Sequence, residues 1–194
     1  MSAPKVVGLF AGIGGIERGM TRAGFASELL CEIDPGAVAV LRRSMPGVPI
    51  HLDVQQLASV PAADIITAGF PCQDLSQAGR TDGIAGKQSG LVYHALRLAS
   101  SQRNGPRWLL LENVPFMLQL DRGQAMRYLT AELEELGYSW AYRVVDARAF
   151  GLPQRRQRVL LLASRTDDPR TVLFADDASA RPAPTVPWPR RSRW

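Results

Sequence analysis

Cysteine, lysine and long apolar runs are scarce in this chain of 194 residues. The two cysteines, Cys31 and Cys72, are too few for a disulfide framework, and each is by default a buried, unreactive thiol. No stretch approaches the roughly 20 apolar residues of a transmembrane helix, and the first residues do not have the pattern of a secretory signal. We therefore expect a cytoplasmic protein with neither a membrane partner nor a metal cofactor.

The basic residues are almost all arginine. Only Lys5 and Lys87 are lysines among the 23 basic residues, and the net charge is +5. Arginine suits bidentate contacts to phosphates and base edges, which favours nucleic acid as a partner. Codon bias in a GC-rich genome would explain the total arginine content equally well, so the local clusters carry more information than the total.

Length and composition indicate one folded domain and a tail. Hydrophobic residues make up 46% of the chain, enough for a buried core. From about residue 166 the periodicity stops, four prolines fall between residues 182 and 189, and the last residues are basic. We predict a domain at residues 1–165, followed by a flexible tail or the start of a recognition region at residues 166–194.

Short apolar runs alternate with segments of helical periodicity. Strands are predicted at residues 6–10, 27–33, 48–54, 64–70, 108–112, 138–147 and 159–164, and helices at residues 13–23, 37–44, 91–101 and 122–136. This alternation predicts an α/β fold with a doubly wound, mostly parallel sheet. Ligands of such sheets bind at the carboxyl ends of the strands, where the most reactive side chains of this chain also fall.

A glycine-rich turn follows the first predicted strand. Gly12, Gly14 and Gly15 let a cofactor approach the backbone, and Glu32 ends the next strand, where a carboxylate can bind ribose hydroxyls. The NAD fingerprint requires glycine at the position of Glu17, and a carboxylate beside a pyrophosphate would be unfavourable. S-adenosylmethionine (SAM), which has no phosphate, therefore fits better than NAD. The alternative is a tight turn with a structural role alone.

Three further segments carry groups capable of chemistry. Pro71-Cys72-Gln73 places a thiol just after a strand, although an isolated buried cysteine would look the same. Glu112-Asn113-Val114 ends an apolar strand with a carboxylate that needs a partner or a function; a helix cap or an ion pair is the alternative. Residues 154–158 carry three arginines suited to a phosphate backbone, or simply to a solvated turn.

These four segments, in this order, resemble the DNA (cytosine-5)-methyltransferase family. The resemblance covers roughly residues 5–165 and implies the Rossmann-like fold of SAM-dependent methyltransferases. It also implies methyl transfer from SAM to C5 of cytosine in DNA through a covalent adduct between Cys72 and C6. The target cytosine would be flipped out of the duplex, since a stacked base is out of reach. The biological setting of many such enzymes is restriction-modification.

The resemblance assigns roles to individual residues. Cys72 would be the nucleophile, Glu112 would bind N3 and the exocyclic amine, Arg158 would hold the O2 side, and Arg156 would support the site. A larger set of residues would form the SAM pocket: Phe10, Gly12, Gly14, Gly15, Glu32, Ile33, Asp53, Pro71 and Leu91. Within it, Ile33 would cover one face of the adenine and Asp53 would bind its amino group.

The family pattern continues beyond the last strand into a target-recognition domain and a final helix that completes the SAM pocket. The residues after 165 do not resemble either element, so the resemblance implies a shortened or split enzyme and a complementing C-terminal polypeptide. Other readings are a non-catalytic remnant that binds SAM or nucleic acid, an NAD-type oxidoreductase, and a methyltransferase with RNA as its substrate.

Overall fold

The computed structural model describes residues 2–71, 90–100 and 105–175. The strands are β1 (Lys5–Leu9), β2 (Ala26–Cys31), β3 (Ile50–His51), β4 (Ile65–Ala68), β5 (Trp108–Asn113), β6 (Ser139–Asp146) and β7 (Gln157–Ser164). The α-helices are α1 (Gly15–Arg22), α2 (Pro35–Ser44), α3 (Leu91–Ser100), α4 (Gln124–Glu135) and α5 (Pro169–Leu173). The predicted alternation of strands and helices is confirmed. The third strand is much shorter than the sequence suggested.

All seven strands form one sheet in the order β3-β2-β1-β4-β5-β7-β6. The first five are parallel to one another, whereas β7 pairs in the antiparallel direction with both β5 and β6. The sheet is therefore mostly parallel, as predicted, with one reversed strand. Because β7 is reversed, its first residues lie at the same sheet edge as the last residues of β5.

Helices cover both faces of the sheet. Leu29 belongs to the main core, which includes residues of α3 and α4, whereas its neighbour Leu30 packs with Leu41 of α2 on the other face. Successive side chains of a strand point to opposite faces, so one strand supplies both layers. The doubly wound α/β architecture expected from the sequence is confirmed, and its carboxyl edge collects the loops that follow β1, β2, β4 and β5.

Residues 166–175 contain the short helix α5, which contacts β6 and β7. Asp167 forms an ion pair with Arg107, at 2.6 Å between Oδ1 and Nη2. The hydrogen bonds from Arg107 hold the pKa of Asp167 far below its usual range. The boundary that the sequence suggested after residue 165 stays a prediction, but these first residues beyond it are attached to the sheet.

The described residues leave the α1 face of the sheet partly uncovered over β5, β7 and β6. An apolar groove of about 620 Å³ runs there, between α1 and α5. Its lining includes Met20, Trp108, Leu162 and Val172, while Phe150 at its rim is 71% exposed. We call this surface the apolar groove.

None of the helices within residues 2–71, 90–100 and 105–175 has the length and apolarity of a membrane span. The same residues contain no cluster of three or more histidine, cysteine or acidic side chains that could hold a metal ion.

A buried carboxyl group lies between α1 and the sheet. Glu17 is 1% exposed, and one of its oxygens accepts a hydrogen bond from Oγ1 of Thr67 at 2.7 Å, while Oε2 has no partner. A Cβ atom at Gly8 would lie 2.5 Å from Oε1, so the glycine makes room for this side chain. Burial raises the pKa of Glu17, because the charged form loses its solvation.

We predict that Glu17→Gln makes the free energy of unfolding less dependent on pH. The folded chain holds the Glu17 proton more tightly than the unfolded chain, so wild-type stability falls as the pH rises from about 4.5 toward the raised pKa. The glutamine cannot ionise and does not lose stability in that window. The stability of Glu17→Gln relative to wild type is therefore expected to grow with pH, measured by urea unfolding between pH 4.5 and pH 9.

Glu135→Gln is the matched control, because Glu135 is an exposed glutamate on α4. Its stability relative to wild type should be nearly flat over the same pH range. A flat difference for Glu17→Gln as well would show that the Glu17 carboxyl group titrates normally.

Candidate active site

A cavity of about 370 Å³ opens at the carboxyl edge of the sheet, above β1, β2 and β4. It brings together seven of the nine residues that the sequence assigned to the SAM pocket: Phe10, Gly12, Glu32, Ile33, Asp53, Pro71 and Leu91. Its volume falls in the range of small-molecule sites, which is roughly 300–1,000 Å³. The predicted cofactor residues thus come from five separate segments and share one cavity.

The turn after β1 is held by Glu32. One carboxylate oxygen, Oε2, accepts a hydrogen bond from the amide of Gly12 at 2.7 Å, and Oε1 accepts one from the amide of Asp34 at 2.8 Å. Each oxygen keeps a lone pair for a further donor, such as a ribose hydroxyl. Glu32 therefore shapes the turn and presents acceptors to the cavity at the same time.

The backbone of this turn is strained at Phe10. Its φ angle is 55°, in the left-handed region that a residue with a Cβ atom seldom adopts, and Gly12 follows with a φ of 54°. Such conformations cost on the order of 1–3 kcal/mol when the residue is not glycine, and they concentrate at ligand sites. The Phe10 ring is thereby placed on the wall of the cavity.

Gly14 and Gly15 do not line the cavity. Gly14 has a φ of 81°, and a Cβ atom there would lie 2.8 Å from Cδ2 of Leu41. It thus permits close packing of the turn on α2, while Gly15 begins α1. In this structure both residues shape the turn rather than the wall of the cavity.

The sequence placed Glu17 beside the position of a cofactor phosphate, and the structure corrects this. The carboxyl group points toward Gly8 and Thr67 and is absent from the cavity wall. The argument that its charge would repel a pyrophosphate therefore fails. The choice of SAM over NAD has to rest on the remaining residues of the site.

Two exposed apolar side chains flank the cavity. Ile33 is 71% exposed and Leu52 is 52% exposed, although both are aliphatic. They line the cavity from the segments that follow β2 and β3. A planar base inserted there would cover apolar surface that water now contacts, which favours binding. The sequence analysis predicted Ile33 to cover a face of the base, whereas it did not name Leu52.

Asp53 is fixed by its own loop. Its Oδ1 accepts a hydrogen bond from the amide of Gln55 at 2.9 Å, and its Oδ2 accepts one from the side chain of Gln56 at 3.0 Å. The amide of Asp53 donates to Nδ1 of His51 at 3.3 Å. The carboxylate is thus oriented by local contacts and keeps acceptor capacity for an amino group.

Cys31 also borders the cavity, at the end of β2. It is 2% exposed, and burial together with the nearby Asp53 and Glu32 carboxylates raises the pKa of its thiol to about 11. A thiol of this kind is protonated at neutral pH and is a poor nucleophile. The default reading of a buried, unreactive cysteine therefore holds for Cys31.

Glu112 and Arg158 form an ion pair at the same edge. Nε of Arg158 lies 2.6 Å from Oε1 of Glu112, and each side chain is 23% exposed. The two come from the end of β5 and the start of β7, and the antiparallel pairing of these strands brings them together. Nη1 of Arg158 donates to the carbonyl of Gln157 at 2.7 Å, which helps to fix the guanidinium.

Gly69 separates this ion pair from the cavity. Gly69 lines the cavity, and a Cβ atom there would lie 3.3 Å from Oε2 of Glu112. The carboxylate therefore stands directly behind the cavity wall, where a larger residue would crowd it.

Asn113 connects the ends of β4 and β5. Its side-chain nitrogen donates to the carbonyl of Phe70 at 3.0 Å, and its side-chain oxygen accepts from the amide of Val114 at 2.8 Å. Asn113 is 4% exposed, so both hydrogen bonds are sheltered from water. They fix the backbone just before Pro71. Cys72 itself lies outside the described residues.

The structure does not bring Arg156 to Glu112. Arg156 is exposed, and its carbonyl accepts a hydrogen bond from the amide of Ala147 at 2.9 Å within the β6–β7 connection. Its supporting role stays a prediction.

Sequence reasoning missed five lining residues: Cys31, Leu52, Val54, Gln55 and Gly69. Leu52 and Val54 flank Asp53 directly, Gln55 follows Val54, and Gly69 comes two residues before Pro71. Adjacency to a predicted site residue was the available signal, but it does not tell which neighbours face the cavity.

Comparison with known proteins identifies the family. The family model described as C-5 cytosine-specific DNA methylase matches residues 4–191. The Type II methyltransferase M2.BsuMI of Bacillus subtilis (strain 168) is 56% identical over 177 residues, which cover 90% of this chain and 46% of that protein. The Type II methyltransferase M.BanI of Aneurinibacillus aneurinilyticus is 35% identical, over 91% of this chain and 42% of that protein. The chain thus spans about half the length of these relatives.

Solved structures share the fold. The Dnmt2 methyltransferase of S. pombe superposes with a TM-score of 0.66 at 21% identity, over 84% of this chain and 50% of that protein. The DNMT2 mutant structure from Spodoptera frugiperda gives a TM-score of 0.67 at 18% identity, over 98% of this chain and 53% of that protein. The sequence resemblance is therefore confirmed on both counts: the fold is that of these methyltransferases, and the chain belongs to the C-5 cytosine-specific DNA methylase family.

Proposed function

We propose that this chain carries the cofactor site and the catalytic residues for methyl transfer from SAM to C5 of cytosine in DNA. The observation that carries the proposal is the position of the Glu112–Arg158 ion pair, which lies behind Gly69. Gly69 itself lines the same cavity as Glu32 and Asp53. A base-recognising pair and a nucleoside-sized cavity thus adjoin at one sheet edge, in a chain of the cytosine methylase family.

The cavity has the donor and acceptor chemistry that SAM requires. Glu32 would accept hydrogen bonds from the ribose hydroxyls, and Asp53 would accept one from the adenine amino group. Ile33 and Leu52 would cover the apolar faces of the base. When bound, SAM supplies an electrophilic methyl group that C5 accepts as the sulfonium bond breaks.

Cys72 would act as the nucleophile. Its thiolate forms a bond to C6 of the cytosine, which converts C5 into an enamine-like carbon able to accept the methyl group. The C5 proton then leaves to a base, and the Cys72–C6 bond breaks to restore the thiolate and the aromatic ring. The buried hydrogen bond from Asn113 to the carbonyl of Phe70 supports this assignment, because it fixes the backbone two residues before Cys72.

Glu112 and Arg158 would hold the target base. The Glu112 carboxyl group would share a proton with N3 and accept a hydrogen bond from the exocyclic amine, and the Arg158 guanidinium would donate to O2. Their mutual ion pair of 2.6 Å presets both groups before the base arrives. Donors and acceptors placed in advance stabilise the charge that develops on the ring as the thiolate adds.

We propose duplex DNA with a flipped cytosine as the substrate. A stacked base cannot reach Glu112, so it has to leave the helix. Arg155 and Arg156 are exposed in the connection between β6 and β7 and suit phosphate contacts, which position a duplex without reading its sequence.

We further propose a polypeptide partner for the apolar groove. The relatives are about twice as long as this chain, and the groove exposes apolar surface from both sheet and helix. Covering this apolar surface with a partner would remove it from water, which favours association. A segment that corresponds to the remaining length of the relatives, on this chain or on a second one, is the occupant we propose.

The proposed function predicts labelled 5-methylcytosine in duplex DNA after incubation with methyl-labelled SAM. The Glu32→Ala variant is expected to raise the KM for SAM by about tenfold, because two backbone amides and the ribose lose their acceptor. Its kcat should change much less, since Glu32 does not touch the target base. The measurement is methyl incorporation as a function of SAM concentration, with an RNA duplex of the same sequence in parallel.

Glu28→Ala is the matched control, because Glu28 pairs with Lys5 away from the cavity. It should leave both kinetic constants unchanged. Binding of SAM without any methyl transfer would support the non-catalytic remnant instead, and tight binding of NAD without binding of SAM would overturn the cofactor assignment.

A further inference from the structure

We propose that Arg97 is a positioning residue of the cofactor site, one that acts through the loop carrying Asp53. The inference rests on the proposed function in one respect: it assumes that the cavity beside Asp53 binds SAM. Neither the sequence pattern nor the cavity wall points to Arg97, which sits in the second turn of α3.

Arg97 clamps the backbone of residues 54–58. Its Nη2 donates to the carbonyls of Leu57 at 2.8 Å and Val54 at 3.3 Å, and its Nη1 donates to the carbonyl of Ala58 at 3.3 Å. One guanidinium thus satisfies three carbonyls of the segment that follows Asp53. The planar fork of arginine suits this task, whereas a lysine ammonium is a single point of donation.

The clamp connects two walls of the cavity. Asp53, Val54 and Gln55 line it from the loop, and Leu91 lines it from the first residue of α3. Arg97 lies on the same helix as Leu91 and holds the same loop as Asp53. Its hydrogen bonds therefore fix the distance between the loop that carries Asp53 and the first residue of α3, Leu91.

A histidine completes the contact. Nδ1 of His94 lies 3.5 Å from Nη2 of Arg97, at the limit of a hydrogen bond. Burial and the Arg97 charge both lower the pKa of His94, which keeps the ring neutral and able to accept from the guanidinium. The positive charge of Arg97 is thus surrounded by acceptors.

The test compares Arg97→Met and Arg97→Lys. The methionine keeps an apolar side chain of similar length but removes all donors, and we expect it to weaken SAM binding about tenfold, as loss of a charged hydrogen-bond clamp implies. The lysine should recover part of the affinity. Hydrogen exchange at the amides of Gln55 and Gln56, which are bonded to Asp53, should accelerate in Arg97→Met. Arg43→Met is the control, because Arg43 is exposed on α2.

A double-mutant cycle separates positioning from mere stability. If Arg97 acts through the Asp53 loop, the effect of Arg97→Met on SAM affinity should largely disappear in an Asp53→Ala background and persist in a Glu32→Ala background. A general loss of stability would lower the melting temperature. The effect of Arg97→Met on SAM affinity would then be the same in the Asp53→Ala and Glu32→Ala backgrounds.

A failure of the Arg97 proposal can be distinguished from a failure of the proposed function. If the unchanged chain binds no SAM, the proposed function fails, and hydrogen exchange then decides whether Arg97 holds the loop. Unchanged exchange at Gln55 and Gln56 in Arg97→Met would overturn the clamp. Accelerated exchange with unchanged SAM affinity would overturn its positioning role.

Discussion

The Cys72→Ser variant is expected to lose methyl transfer by a factor of about 10³ or more, since a hydroxyl is a far weaker nucleophile than a thiolate. Cys72 would form the bond to C6 without which C5 accepts no methyl group. DNA that contains 5-fluorocytosine should trap the wild-type chain covalently in the presence of SAM, because the fluorine cannot leave as a proton. The measurement is a shifted band on a denaturing gel, and Cys72→Ser should not produce it.

Cys31→Ala is the comparison, because it removes the other thiol of the chain. The Cys31 thiol has a pKa raised to about 11 and is expected to play no covalent part, so this variant should still form the adduct, whatever happens to its SAM affinity. Trapping that depends on Cys31 rather than Cys72 would reverse the assignment of the nucleophile.

The Glu112→Gln variant is expected to lower kcat by about 10²–10³-fold, the usual cost of removing one preset electrostatic partner of a developing charge. It removes the carboxylate that pairs with Arg158 at 2.6 Å. Arg158→Met should cost a similar factor. The double variant should cost much less than the product of the two, because each single change already disables the same unit. Single-turnover kinetics with excess chain over DNA would measure this.

Glu28→Gln provides the control, as a glutamate in an ion pair of 3.3 Å with Lys5 outside the site. Its rate should equal that of the wild type. Multiplicative losses in the Glu112 and Arg158 pair would mean that the two side chains act independently, contrary to the geometry proposed for base recognition.

Much of the fold could be predicted from the sequence because the buried strands are short apolar runs that end at glycine, proline or acidic residues. The runs at β1 and β4 are almost entirely buried in the structure, and β5 alternates between buried and partly buried residues. The position of β7 between β5 and β6 could not be predicted in the same way. Strand order depends on contacts between distant segments, and the periodicity of a single segment carries no information about its neighbours.

In the candidate site, too, some features could be predicted from local sequence and others could not. The segments containing Glu32, Asp53 and Glu112 were identified because each carries a carboxylate at the end of a strand. The direction of a side chain could not be predicted in this way: Glu17 was expected to be unfavourable beside a pyrophosphate, yet its carboxyl group points toward Gly8 and Thr67. Arg97 was missed because its partners are backbone carbonyls. Every residue type has a backbone carbonyl, so the amino-acid sequence does not indicate such a contact.

The reversed strand also bears on how the chain folds. β6 and β7 are consecutive and pair with each other, so they can form a hairpin from local contacts, whereas the pairing of β7 with β5 requires a longer loop to close. Glu112 and Arg158 meet only when that hairpin docks on β5. We therefore expect the two residues proposed to hold the base to come together later in folding than the β6–β7 hairpin itself. A chain in which this hairpin has not docked on β5 would lack the Glu112–Arg158 pair, whereas the hydrogen bond between Glu32 and Gly12 does not involve the hairpin.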